Sequence, residues 1–176
     1  MAASSPGAIY ESLKRRRERL ENELAEARRA LLGHLFPDTV VSDHDAASID
    51  DRLDRSITPS VIVMNPPFAS SVDRSRDKHI AAKHLIGAAK RLAPGGRLVA
   101  IMPMGFSPER DAAHLARASA IAKPRLALTI PGHVYRKLGT TVETQLMVFD
   151  KVQEEVEFIR AVACDLDAAR QIIDDI

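Results

Sequence analysis

Apolar residues recur along this chain in two alternating periods, one helical and one of short runs. From Ile9 to Phe36 the sequence is rich in Glu, Arg, Leu and Ala, with no glycine or proline before Gly33. Leu13, Leu20, Leu24 and Leu31, at spacings of seven and four, form one stripe. The segment predicts a long helix that Gly33 and Pro37 end. Thr39 to Val41 is a short strand candidate, and Asp45 to Leu53 predicts a turn and a short helix. Ser60 to Met64 is an apolar run that reads as a buried strand. His79 to Leu92 is amphipathic, with Ile80, His84, Leu85, Ala88 and Leu92 along one side. Pro94-Gly95-Gly96 predicts a tight turn, followed by a strand from Arg97 to Met102 and a helix from Pro108 to Ala122. Arg125 to Ile130 and Thr144 to Phe149 predict two antiparallel strands, joined by the polar loop Pro131 to Glu143. Asp165 to Ile173 predicts a closing helix.

Strands alternating with helices imply an α/β fold, with a mostly parallel sheet ending in an antiparallel hairpin. The expected organisation is an N-terminal helical segment at 1–36, an α/β core at 37–152 and a tail with a helix at 153–176.

Composition changes this picture little. The 176 residues suit one domain with a real core. The net charge of +1 makes no global demand for nucleic acid, so any such contact needs a local patch. The Lys14-Arg15-Arg16-Arg17-Glu18-Arg19 run is read as a solvated helix face paired with Glu18, Glu21, Glu23 and Glu26. The single cysteine, Cys164, excludes an internal disulfide and argues against a cysteine zinc site. A reducing, cytoplasmic setting is expected, with no membrane partner. His79 and His84 are poorly spaced for ligation from one helix face, and no metal site is read from them.

The most informative residues are Asn65-Pro66-Pro67-Phe68. Two prolines cannot continue the preceding strand, because each lacks an N–H and fixes its own φ. The chain must leave the sheet at Asn65 in a stiff loop at the carboxyl end of a strand, where open α/β sheets bind ligands. An amide and a proline carbonyl can accept hydrogen bonds from an exocyclic amino group, and a ring can stack on the base that carries it.

These four residues resemble motif IV of amino-group methyltransferases that use S-adenosylmethionine. Beyond them come a helix, Leu92-Ala93-Pro94-Gly95-Gly96-Arg97 and a strand. Further on lie Leu128 to Tyr135, then Gly139-Thr140-Thr141-Val142-Glu143-Thr144 and the strand Gln145 to Phe149. Over roughly residues 20–152 this order resembles N6-adenine DNA methyltransferases, particularly the methylase portion of strawberry-notch-type methylase–helicase proteins.

The resemblance implies a truncated Rossmann-like sheet and DNA as partner, with a fused or separate helicase. It implies that Asn65, Pro66, Pro67 and Phe68 are catalytic, holding the amino group of a flipped adenine. Asp45 with Ala46, Glu23 and Asn65 would hold the cofactor, Asp45 at its adenine and Glu23 at its ribose. Thr140, Thr141 and Tyr135 are weighed as lining of the target cleft or as turn and packing residues.

One departure stands out. The Gly-rich turn implied shortly before Glu23 is replaced by Tyr10 to Arg19, which has no glycine. The region before Glu23 also reads as helix, where the resemblance implies a strand. The alternative is therefore a catalytically inactive remnant that binds nucleic acid or a partner. A glutamine methyltransferase is a third reading. A sheet lacking its first strand either pairs Thr39 with residues 60–64, or leaves an edge that the N-terminal helix covers or that favours a homodimer.

Overall fold

The computed structural model describes residues 6–35, 37–40, 46–68 and 77–175. The chain divides into two compact units, Met1–His44 and Asp45–Ile176.

The first unit holds α1 (Pro6–Leu35), 30 residues long. It begins earlier than the apolar stripe suggests, with Pro6 at the first helical position, where a missing N–H costs no hydrogen bond. Arg17 and Arg19 pair one turn on with Glu21 and Glu23 at 2.7 and 3.6 Å. The whole Lys14 to Arg19 run is exposed, as a solvated face requires. Thr39 and Val40 do not form the expected strand: Pro37 and Asp38 open a turn, and Val40 is 95% exposed. Val41 lies outside the described residues.

The second unit starts with a 3-10 turn (Ala46–Ser48) and α2 (Ile49–Arg52). Then follow β1 (Val61–Met64), α3 (Ile80–Arg91), β2 (Arg97–Pro103), α4 (Ala112–Ser119), β3 (Lys123–Ile130) and β4 (Thr144–Asp150). The last elements are β5 (Ile159–Val162) and α5 (Leu166–Asp174). The sheet order is β1-β2-β4-β3-β5. β1 pairs parallel with β2, and β3 with β5, while β4 runs antiparallel between β2 and β3. The sheet is thus α/β and mixed, with four strands in one direction.

Two differences from the expected plan stand out. The antiparallel pair is not terminal, because the tail contributes β5 beyond it. The helix expected over Pro108 to Ala122 forms only over Ala112–Ser119. Before it, Arg110 and Asp111 N–H groups both turn back to the Ser107 carbonyl.

Alternation along β2 explains the core. Leu98, Ala100 and Met102 are buried on one face, in one cluster with Leu85, Ile86 and Ala89 of α3 and Leu92 just after it. Met147 and Phe149 of β4 complete that cluster. Burying Leu85 completely is worth about 1.5–3 kcal/mol. On the opposite face Leu126, Leu128 and Val148 pack with Ala163 and with Ala169 of α5. Asp165 caps α5 by accepting from the Ala168 N–H at 2.8 Å.

Two polar devices fix the sheet to its helices. Arg97 grips Asp150 across the β2–β4 pair with two bonds of 2.7 and 2.9 Å. Lys151 Nζ donates to the carbonyls of Ala89, Lys90 and Leu92, at 3.3, 3.0 and 2.7 Å. Those are the unsatisfied carbonyls at the end of α3, where a cation also complements the helix dipole. After α3 the chain turns through Gly96, where a Cβ would meet the Ser60 carbonyl oxygen at 2.7 Å. That contact sets β1 beside β2, because the next residue, Arg97, donates its N–H to the same oxygen at 2.8 Å.

Candidate functional site

β1 ends at Met64, and the chain leaves the sheet at Asn65. Asn65 and Pro67 are exposed, Pro66 is buried and Phe68 is partly buried. Phe68 packs against the cluster that holds α3 to the sheet. The stiff Pro-Pro pair therefore has one ring seated in protein, and the Asn65 amide stands at the surface beside it. β1 lies at the edge of the sheet. Ile62 and Met64 face the core cluster, while Val61 and Val63 are 60% and 77% exposed.

The remaining candidates lie in different parts of the chain. Asp45, like His44, lies outside the described residues. Ala46 is exposed at the start of the 3-10 turn, which packs on α3. Glu23 belongs to the other unit, inside α1 and ion-paired with Arg19, where the resemblance implies the end of a strand. No described strand flanks β1 on its open side.

The loop between β3 and β4 is more ordered than its polar sequence suggests. A 3-10 helix spans Gly132–Leu138 and ends at Gly139, whose φ is +82°. Thr140 and Thr141 are exposed there. Tyr135 is partly buried, its hydroxyl 2.8 Å from Thr144 Oγ1.

Next to Phe68 a cavity of about 210 Å³ is lined by Lys78, His79, Pro103, Arg110 and Asp111. Here His79 bonds Asp111 and stacks on His114. Burial pushes the Asp111 carboxyl up, but the hydrogen bonds from His114 and His79 outweigh it and hold Asp111 below the usual carboxylate range. Asp77, close by, is held low by Lys83 at 2.6 Å and by the His79 N–H at 2.9 Å.

A larger cleft of about 590 Å³ opens at the same end of the sheet, floored by Ala127 and Met147 and walled by Phe106 and Phe158. Arg160 lies 5.4 Å over the Phe158 ring and 3.9 Å from Glu109. Sequence reasoning missed this cleft because its outer wall comes from β5.

No protein-family model matches this sequence, and no curated protein matches it. Among solved structures, the chain is similar to a protein from Listeria monocytogenes titled a class I S-adenosylmethionine-dependent methyltransferase. That likeness has 11% identity and a TM-score of 0.45, over 66% of this chain and 41% of the other. A modification subunit of a type I restriction enzyme from Vibrio vulnificus is similar at 15% identity and a TM-score of 0.47. It is matched over 67% of this chain and 28% of the subunit. A DNMT2 mutant from Spodoptera frugiperda is similar at 14% identity and a TM-score of 0.40, over 74% and 44%. The chain spans less than half the length of each.

Proposed function

We propose that this chain carries the target side of an amino-methyltransferase site for the N6 of adenine in DNA, and that the cofactor side comes from elsewhere. The observation that supports this reading is the Asn65–Phe68 loop at the carboxyl end of β1, with its amide exposed and its ring seated on the core. Asn65 Oδ1 and the Pro66 carbonyl would accept the two amino hydrogens of an extruded adenine. That grip turns the nitrogen lone pair out of the ring plane, and positioning of this kind supplies much of a transfer barrier without a strong base. Phe68 would stack on the base, which helps offset an extrusion cost of a few kcal/mol. S-adenosylmethionine, when bound, supplies the electrophilic methyl group.

Among the described residues, Glu23 does not fit that cofactor, so no step is derived through it. Glu23 is on a helix in an ion pair, and β1 has no described strand on its open side. The same facts favour a second reading, a catalytically inactive module that retains the target loop to bind nucleic acid or a partner. Calorimetry with S-adenosylmethionine, combined with transfer of labelled methyl to DNA, separates the two. On the first reading the chain alone neither binds the cofactor tightly nor transfers methyl, and a chain supplying the cofactor side restores transfer that Asn65→Ala abolishes. Restored transfer that survives Asn65→Ala contradicts any role of the loop.

A further inference from the structure

The N-termini of α3 and α4 converge on a cluster that the methyl-transfer reading does not use. His79 precedes α3, Asp111 precedes α4, and His114 lies in the first turn of α4. One Asp111 carboxylate oxygen is 2.7 Å from Nδ1 of His114, and the other is 3.1 Å from Nδ1 of His79. The two imidazoles stack, with centroids 4.7 Å apart and planes 24° from parallel. One potential ligand atom from each of the three residues lies within 4.8 Å of the other two.

Asp111 stands where an aspartate normally caps its own helix through a backbone N–H. It makes no such bond. Both of its oxygens are committed to imidazole nitrogens, and its side chain is only 10% exposed. His114 and His79, at 18% and 32%, leave the cluster reachable from one side. Two imidazole nitrogens and one carboxylate oxygen are the donor types that zinc and the late first-row divalent ions prefer. Three protein ligands leave one position open.

We propose that His79, Asp111 and His114 form a divalent transition-metal site of the zinc type. Each ring would present Nδ1 as a lone pair, its proton resting on Nε2, and the rings would turn out of their stack so that both lone pairs and one carboxylate oxygen meet at the ion. The open position would face the cavity beside Phe68, which Asp111 and His79 also line. Lys78 and Arg110 line that cavity too. Their positive charge opposes a bare dication and favours water-derived hydroxide or another anion as the fourth ligand. The site joins the starts of two helices, so metal binding would stiffen the ground on which Phe68 rests.

The test is a titration of the metal-free full chain with zinc, read by competition with a chromophoric chelator. The expected result is one equivalent bound at micromolar affinity or better, with a higher midpoint of thermal unfolding. His114→Ala should weaken binding by more than about tenfold, the loss that even an outer partner of a metal ligand causes. If His114→Ala does not fold, His79→Asn, on the more exposed ring, gives the same readout. His133→Ala, whose ring instead bonds the Cys164 carbonyl, should leave the affinity unchanged. Failure of the native chain to bind zinc, or binding by the His79 and His114 variants as tight as the parent's, overturns the proposal.

Discussion

A Cβ placed on Gly132 would lie 1.9 Å from the carbonyl oxygen of Thr141. The two ends of the loop joining β3 and β4 therefore touch backbone to backbone, and only glycine fits at that point. Gly132→Ala must push the loop open. It should cost about 1–3 kcal/mol, the usual penalty of overpacking, measured by denaturant unfolding. Gly105→Ala, where an added Cβ meets nothing within 4 Å, should stay within about 0.5 kcal/mol of the parent. Equal stability of the two variants would contradict the close approach.

Lys151 holds the end of α3 through three carbonyls. Lys151→Met keeps most of the stem but removes every donor. The loss should be about 1.5–3 kcal/mol, as for hydrogen bonds to a charged group that is partly buried, and amide exchange should quicken in the last turn of α3. An unfolding midpoint equal to the parent's would show that water replaces the ammonium at no cost.

Asp54 accepts from the Ser56 N–H at 2.8 Å and from the Ser56 hydroxyl at 2.9 Å. Those bonds, with the nearby Arg91, hold its carboxyl below the usual carboxylate range. A folded value below the unfolded one means that Asp54 stabilises the fold above the unfolded value, about 3.9. The contribution fades as pH falls through the depressed folded value. Carboxyl-carbon NMR should place the Asp54 midpoint below that of a free aspartate, and Asp54→Asn should flatten this part of the acid limb. A midpoint at or above the free value would remove the argument.

How much of this was legible in the sequence differs by element. α3 and β2 were, because a continuous apolar run and one clear helical stripe feed a single cluster; β1 was legible as a strand but not as the buried one expected, since at the sheet edge Val61 and Val63 stay exposed. The Asn65 loop was as well, since two prolines after a strand permit little else. β5 was not. Its four residues include Arg160, and the acidic stretch Glu154, Glu155 and Glu157 just before it masks the strand. Thr39 and Val40 are not strand, because the turn at Pro37 and Asp38 runs into them and leaves Val40 exposed. The meeting of His79, Asp111 and His114 is a product of packing between two helix starts, and no spacing along the chain announces it.

An edge strand with Val61 and Val63 exposed is open to pairing. A second copy of the chain is expected to pair there. Sedimentation of the chain alone should show concentration-dependent dimers, and Val63→Lys should disperse them. Monomers at every concentration for both proteins would leave the edge without that role.

On the proposed reading, the Asn65–Phe68 loop receives an exocyclic amino group of an extruded base. The most direct measurement is the fluorescence of duplex DNA carrying 2-aminopurine next to a target adenine that keeps its own N6 amino group, titrated with the chain at low salt. A rise in emission is predicted, reduced by Phe68→Ala and by Asn65→Ala while the circular dichroism of each variant stays that of the parent. No rise, or a rise that both variants keep in full, would contradict the account.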